Sequence, residues 1–142
     1  MTPVALDLRW AANATAANML CIARRFRVVG SLRLAGRAAV AAAELEQLLG
    51  GCPVLAGLDL TQLERTLKPA TGTIVRSVVE RCPEPTALCI GGSDCVPLGL
   101  LPSTIGQLIG LKTLDRSRCE QLGSLPSEIG QLVGLKTLNL MF

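Results

Sequence analysis

The chain contains no histidine and no tyrosine, and aromatic residues make up only 2% of its 142 residues. The missing histidine removes the commonest general base and the commonest metal ligand. The shortage of rings leaves little to stack on nucleobases and excludes a core built round large aromatic side chains. The cysteines are Cys21, Cys52, Cys82, Cys89, Cys95 and Cys119. No two of them form Cys-x-x-Cys and no histidine completes a set, so neither a metal nor any other cofactor is expected. No secretory leader is expected either, because Asp7 and Arg9 interrupt the N-terminal stretch where an apolar run would stand. No apolar run approaches the ~18 residues of a membrane span. The expectation is a cytoplasmic chain with reduced, buried thiols and no membrane partner.

Hydrophobic residues reach 49%, most of them Leu, Val, Ile and Ala. Such small aliphatic filling suits a stack of regular coils, and the length suits a single domain over residues 1–142. The net charge of +3 is unevenly spread. Residues 1–43 hold six of the fourteen basic residues and one of the eleven acidic ones, which leaves eight basic and ten acidic for the remainder. An arginine-rich segment can touch nucleic acid or anionic lipid. A solvated face is the commoner use, and no nucleic-acid partner is expected.

Two segments near the C-terminus are nearly identical. Residues 101–114 read LPSTIGQLIGLKTL and residues 125–138 read LPSEIGQLVGLKTL, an offset of 24. A fixed offset of this size marks a stacked repeat. The form L-x-x-L-x-L inside it recurs at Pro3/Leu6/Leu8, Val29/Leu32/Leu34, Leu55/Leu58/Leu60, Pro85/Leu88/Ile90, Leu111/Leu114/Arg116 and Leu135/Leu138/Leu140, with successive offsets of 26, 26, 30, 26 and 24. Apolar residues two apart point to one side of a strand. A single coil cannot bury that side alone, so neighbouring coils must cover it.

Between the strands run return segments. Asn13 or Thr15 is placed to cap a helix reaching about Phe26, with Met19, Ile22, Ala23 and Phe26 at a 3.6 period and Arg24, Arg25 and Arg27 at its end. A second helix is predicted over 38–49, stopped by Gly50 and Gly51. The third return is the longest: a capping box at 61–64 is followed by a helix over 73–81. The last two returns are shorter. Leu101-Pro102 and Leu125-Pro126 should be extended, with short helical turns over 105–108 and 129–132. Helix-backed repeats therefore occupy about residues 1–92 and shorter Leu-Pro repeats about 93–142.

Phe26, Cys52, Cys82, Leu108 and Leu132 each stand three residues before a repeat's first position and should form one inward column. Cys119 falls where a side chain can bond to the adjoining turn, and Cys95 copies it one Leu-Pro repeat earlier. Anchoring on Cys95 would make Ala87/Ile90/Gly92 the fourth strand. The alternation around Leu88 and Ile90 favours Pro85/Leu88/Ile90, with a two-residue insertion before Cys95. Arg116 takes a position where an inward leucine is expected. A buried guanidinium is costly, so it should lie near an open end of the stack or pair with Asp94 or Glu120.

This pattern resembles the leucine-rich-repeat superfamily over essentially the whole chain, most closely over 98–140. The N-terminal repeats resemble the ribonuclease-inhibitor type. The Leu-Pro-Ser-Glu-Ile-Gly-Gln-Leu form resembles plant-type intracellular repeats, and Arg118-Cys119-Glu-Gln-Leu122 resembles the sensor region of nucleotide-binding immune receptors and Ras-group scaffolds. Cys52-Pro-Val-Leu55-Ala-Gly-Leu58-Asp-Leu60 resembles the repeats of F-box substrate adaptors. The resemblance implies an α/β solenoid, a horseshoe of about six turns, with a parallel sheet on the concave side and helices or short helical turns on the convex side.

It further implies a non-enzymatic protein-interaction module, of intracellular signalling or immune-type sensing, that binds a partner protein on the concave face. The alternative is a substrate-recruiting subunit of an F-box type ubiquitin ligase. The candidate contact residues are Asp7, Arg9, Arg33, Asp59, Thr61, Cys89, Thr113, Asp115, Thr137 and Asn139. Catalysis has little support: Cys89, the cysteine expected on the open face, has no histidine to activate it, and Gly91-Gly92-Ser93 lacks the lysine of a phosphate loop. Neither end carries a polar cap, and Met141 and Phe142 are apolar, so a fragment of a longer array or self-association through the ends is expected.

Overall fold

A computed structural model describes residues 3–7, 16–25, 29–34, 42–60, 71–90, 101–116 and 125–140. Its centre is a single six-stranded sheet in which every neighbouring pair is parallel. The strands are β1 (Val4–Asp7), β2 (Val29–Arg33), β3 (Gly57–Asp59), β4 (Ala87–Cys89), β5 (Thr113–Asp115) and β6 (Thr137–Asn139), and they lie side by side in chain order. Among the described residues three α-helices, α1 (Ala16–Arg25), α2 (Ala42–Gly50) and α3 (Thr71–Arg81), fall between the first four strands. Two short 3-10 helices, η1 (Ser103–Gln107) and η2 (Ser127–Gln131), precede β5 and β6. Each of these five segments packs on the next, giving a second layer beside the sheet. Among the described residues no helix is long and apolar enough to cross a membrane.

The register shows why the strands stack. Leu32 stands opposite Leu58, Leu58 opposite Leu88, and Leu88 opposite Leu114. All four are buried, as are Leu34, Leu60 and Ile90 two residues further on and Val29, Leu55 and Leu111 three residues earlier. Because side chains alternate along a strand, the residues two apart, Leu32 with Leu34, Leu58 with Leu60 and Leu88 with Ile90, point to the same side. Backbone bonds carry the ladder past each strand: the amides of Leu34, Leu60, Ile90 and Arg116 donate to the carbonyls of Asp59, Cys89, Asp115 and Asn139, each at 2.8 Å. The fourth strand uses Leu88 and Ile90 inward, which decides the choice posed by Cys95. Cys95 itself lies outside the described residues.

The second layer completes the core. Leu48 and Leu49 of α2 and Val75 and Val78 of α3 are buried against the sheet. Ser77, also buried in α3, meets its hydroxyl's need by donating to the Thr73 carbonyl one turn back. Cys52, Cys82, Leu108 and Leu132 are buried together as an inward column, and Phe26 lies outside the described residues. Pro102 and Pro126 are extended, with ψ of 155° and 146°.

Several expectations need correction. The last two helical turns begin at Ser103 and Ser127, directly after the prolines and two residues earlier than predicted, since a fixed proline φ can lead straight into a helical turn. Helix α3 likewise starts two residues early, at Thr71, and α2 takes in Gly50 before Gly51 ends it. Cys21 is exposed, not buried, because position 21 falls outside the 3.6-period stripe of α1. Arg116 sits fully in the inward row, at 2% exposure. Its Nε makes no hydrogen bond, although the residue has other interactions. Asp94 and Glu120 lie outside the described residues, as do the box at 61–64, Met141 and Phe142.

Candidate functional site

If the leucines face the core, the residues flanking them must face away from it. Two straight rows result on the open side of the sheet. Ala5, Ser31, Gly57, Ala87, Thr113 and Thr137 are successive partners in one row. Asp7, Arg33, Asp59, Cys89, Asp115 and Asn139 are successive partners in the other. Eight of the ten residues singled out from the sequence are therefore brought onto one face. Arg9 and Thr61 lie outside the described residues.

Exposure grades along this face. Asp7, Arg33 and Thr137 are exposed, whereas Asp59, Cys89, Thr113, Asp115 and Asn139 are half-buried by their neighbours. The first row is built of small side chains, so the second row stands beside a low strip. Side chains in adjacent strands are held about 4.8 Å apart in the hydrogen-bonding direction. Arg33 Nε approaches Asp59 Oδ2 to 4.0 Å. Sequence reasoning misses this ion pair, although opposite charges at equivalent positions of adjacent repeats are a sufficient signal for it. At such exposure the pair contributes roughly 0–1 kcal/mol and mainly orients the two side chains.

Cys89 lies between two carboxylates. Burial pushes its thiol up to about 11; the charges of Asp59 and Asp115 push the same way, and Arg33 pulls against them. A thiol in this setting stays protonated at neutral pH, the opposite of what a nucleophilic cysteine needs. The remaining described thiols differ by environment. Cys52 is raised to about 11 by burial, and Cys82 to about 12 by burial and by its neighbour Cys52. Among the described residues no three His, Cys, Asp or Glu side chains are grouped to hold a metal ion.

The face thus offers an ordered polar line with fixed spacing: one cation, three carboxylates, one thiol and one amide. It can present complementary charge and hydrogen-bonding groups to an extended surface. Comparison of the chain with models of known protein families, with curated proteins and with solved structures finds no match to any of them.

Proposed function

We propose that the chain is a leucine-rich-repeat solenoid that serves as a non-enzymatic, cytoplasmic protein-interaction module. In this reading the sheet is the concave side of a horseshoe, and a partner protein docks across its open face. The observation that carries it is the in-register row of Asp7, Arg33, Asp59, Cys89, Asp115 and Asn139 opposite the core. Repeat arrays use such faces as extended binding surfaces, since each coil contributes side chains at a constant pitch. The absence of large aromatic anchors points to a polar contact in which charge pattern sets specificity and on-rate. The raised Cys89 pKa favours this over a thiol enzyme.

Affinity capture from cell extract with wild-type protein and with Asp59→Lys/Asp115→Lys tests the assignment. Both positions are half-buried at the surface, so the variant should fold, as its circular dichroism would verify. Loss of the wild-type partner set in the variant is expected. The same partners at the same yield would sink the concave-face assignment.

A further inference from the structure

Two cavities among the described residues differ in the charge of their walls. One, of about 440 Å³ beside Pro83, has Glu84 in its wall and no cation. The other, of about 420 Å³, is walled by Arg24, Gln47, Gly50, Gly51 and Pro53, with a cation and no carboxylate. Its origin is the end of α2. Each return runs between parallel strands, so the three helices point the same way and their C-terminal ends lie side by side. Helix α1 ends in Arg24 and Arg25 and α3 in Arg81, whereas α2 has no basic residue in its last turn and ends in glycine. The missing side chains at Gly50 and Gly51 leave a hollow, which Arg24 borders from α1. Arg81 reaches it from α3: its Nη1 stands 3.9 Å from where a Cβ on Gly50 would be.

Neither arginine is consumed within the chain. Among the described residues no carboxylate pairs with Arg24 or Arg81, in contrast to Arg33, which pairs with Asp59. Capping of α2 does not occupy them either, because the carbonyls of Gln47, Leu48 and Leu49 already accept from the amides of Gly51 and Cys52. Glu46 and Glu80 are close in sequence, but neither lines the cavity. Two guanidiniums facing one hollow repel each other, and the fractional negative charge of a helix end offsets only part of that. An anion placed between them removes the rest.

The walls also select the anion. A guanidinium offers a planar fork that matches two phosphate oxygens, and two forks balance the charge of a phosphate dianion. The side-chain amide of Gln47 supplies a further donor. The volume exceeds that of a bare phosphate and falls within the range of small-molecule sites. Pro53 and the two glycines leave low surface for a short carbon chain, and the wall has no ring on which a nucleobase could stack.

We infer that this hollow is a binding site for a small soluble phosphomonoester, held between Arg24 and Arg81. Isothermal titration calorimetry on the whole purified chain, at fixed ionic strength, tests it with glycerol 3-phosphate and glucose 6-phosphate as probes. Inorganic phosphate and acetate are the reference anions, and vesicles containing phosphatidic acid offer the same group on a membrane. The esters should bind saturably at one site and more tightly than either reference anion. Arg24→Ala and Arg81→Ala should each weaken them by about tenfold or more. Gly50→Leu should abolish binding by filling the hollow while both charges remain. Arg76→Ala removes an exposed cation further back on α3 and should leave the affinity unchanged. Asp59→Lys/Asp115→Lys should be equally silent, which separates this site from the open face. The positions altered around α2 and α3 are all exposed, and an unchanged thermal midpoint shows that each variant is folded. Any of these results would overturn the inference: no saturable binding of the esters, inorganic phosphate bound as tightly as they are, losses as large in Arg76→Ala as in the cavity variants, or vesicle binding without binding of the soluble esters.

Discussion

Arg116 occupies the place of Leu34, Leu60 and Ile90, with its guanidinium inside an aliphatic row. Taking such a group out of water is expensive even when it has partners, and hydrophobic replacements of similar size are often stabilising by about 1–4 kcal/mol. Arg116→Leu is therefore expected to raise the urea midpoint. An unchanged or lower midpoint in equilibrium denaturation would show that the arginine is held by interactions worth more than its desolvation. The thiols make a second prediction at this scale. An unfolded chain ionises its cysteines near 9, whereas Cys52, Cys82 and Cys89 hold their protons to about 11, 12 and 11. Between those values the unfolded state binds fewer protons than the native one, so stability falls as pH rises. It should be unaffected by these thiols below pH 9 and decline from there to about pH 12. Cys52→Ala/Cys82→Ala should flatten that decline in denaturation curves recorded across the range. An unaltered slope would refute the assignment to buried thiols.

The returns show packing at the scale of the element. Gly106 and Gly130 are equivalent positions of η1 and η2, one repeat apart with the same neighbours in sequence. Their surroundings are opposite. A Cβ at Gly106 would come within 2.9 Å of the Glu128 carbonyl oxygen in the next coil, while one at Gly130 would meet nothing within 4 Å. Backbone cannot yield cheaply, and overpacking of this kind costs about 1–3 kcal/mol. Gly106→Ala should lower the thermal midpoint by several degrees, and Gly130→Ala should leave it unchanged or slightly raised through lost freedom of the unfolded chain. Equal effects in differential scanning calorimetry would mean that η1 and η2 do not pack as described.

This contrast also shows what could be read beforehand. The strand positions were legible because the inward leucines recur with a fixed internal spacing that no turn or helix needs. The helices of the first three returns were legible from their 3.6 periods. The difference between Gly106 and Gly130 was not, since it arises from contact between coils and the two local sequences are nearly the same. The cavity beside Pro83 escaped for a similar reason, since it depends on how one element lies against the next. The exposure of Cys21 could have been read from its place outside the 3.6-period stripe of α1.

For the whole molecule, the proposed solenoid would make stability a sum of nearest-neighbour terms. The inner strands are covered on both sides and the outer ones on a single side. Leu88 is fully buried, whereas Leu138, in the equivalent position of β6, is 42% exposed. Leu88→Ala should cost about 2–5 kcal/mol. Leu138→Ala should cost less than about 1.5 kcal/mol, in keeping with its partial burial. Chemical denaturation of the two variants decides the matter, and similar losses would argue for a single undivided core. Native-state hydrogen exchange should follow the same order, slowest at Leu58 and Leu88 and fastest in β1 and β6.

The strand register carries one more consequence. Successive repeats differ in length, the third being the longest and the last the shortest, yet the β2–β6 partners line up without a shift. Distance along the chain is therefore not transmitted to distance on the face. A return segment can gain or lose residues while Asp59, Cys89 and Asp115 keep their pitch, because hydrogen bonding between strands sets it. The open face and the layer behind it are free to change independently, so a new recognition pattern can be written on one without rebuilding the other.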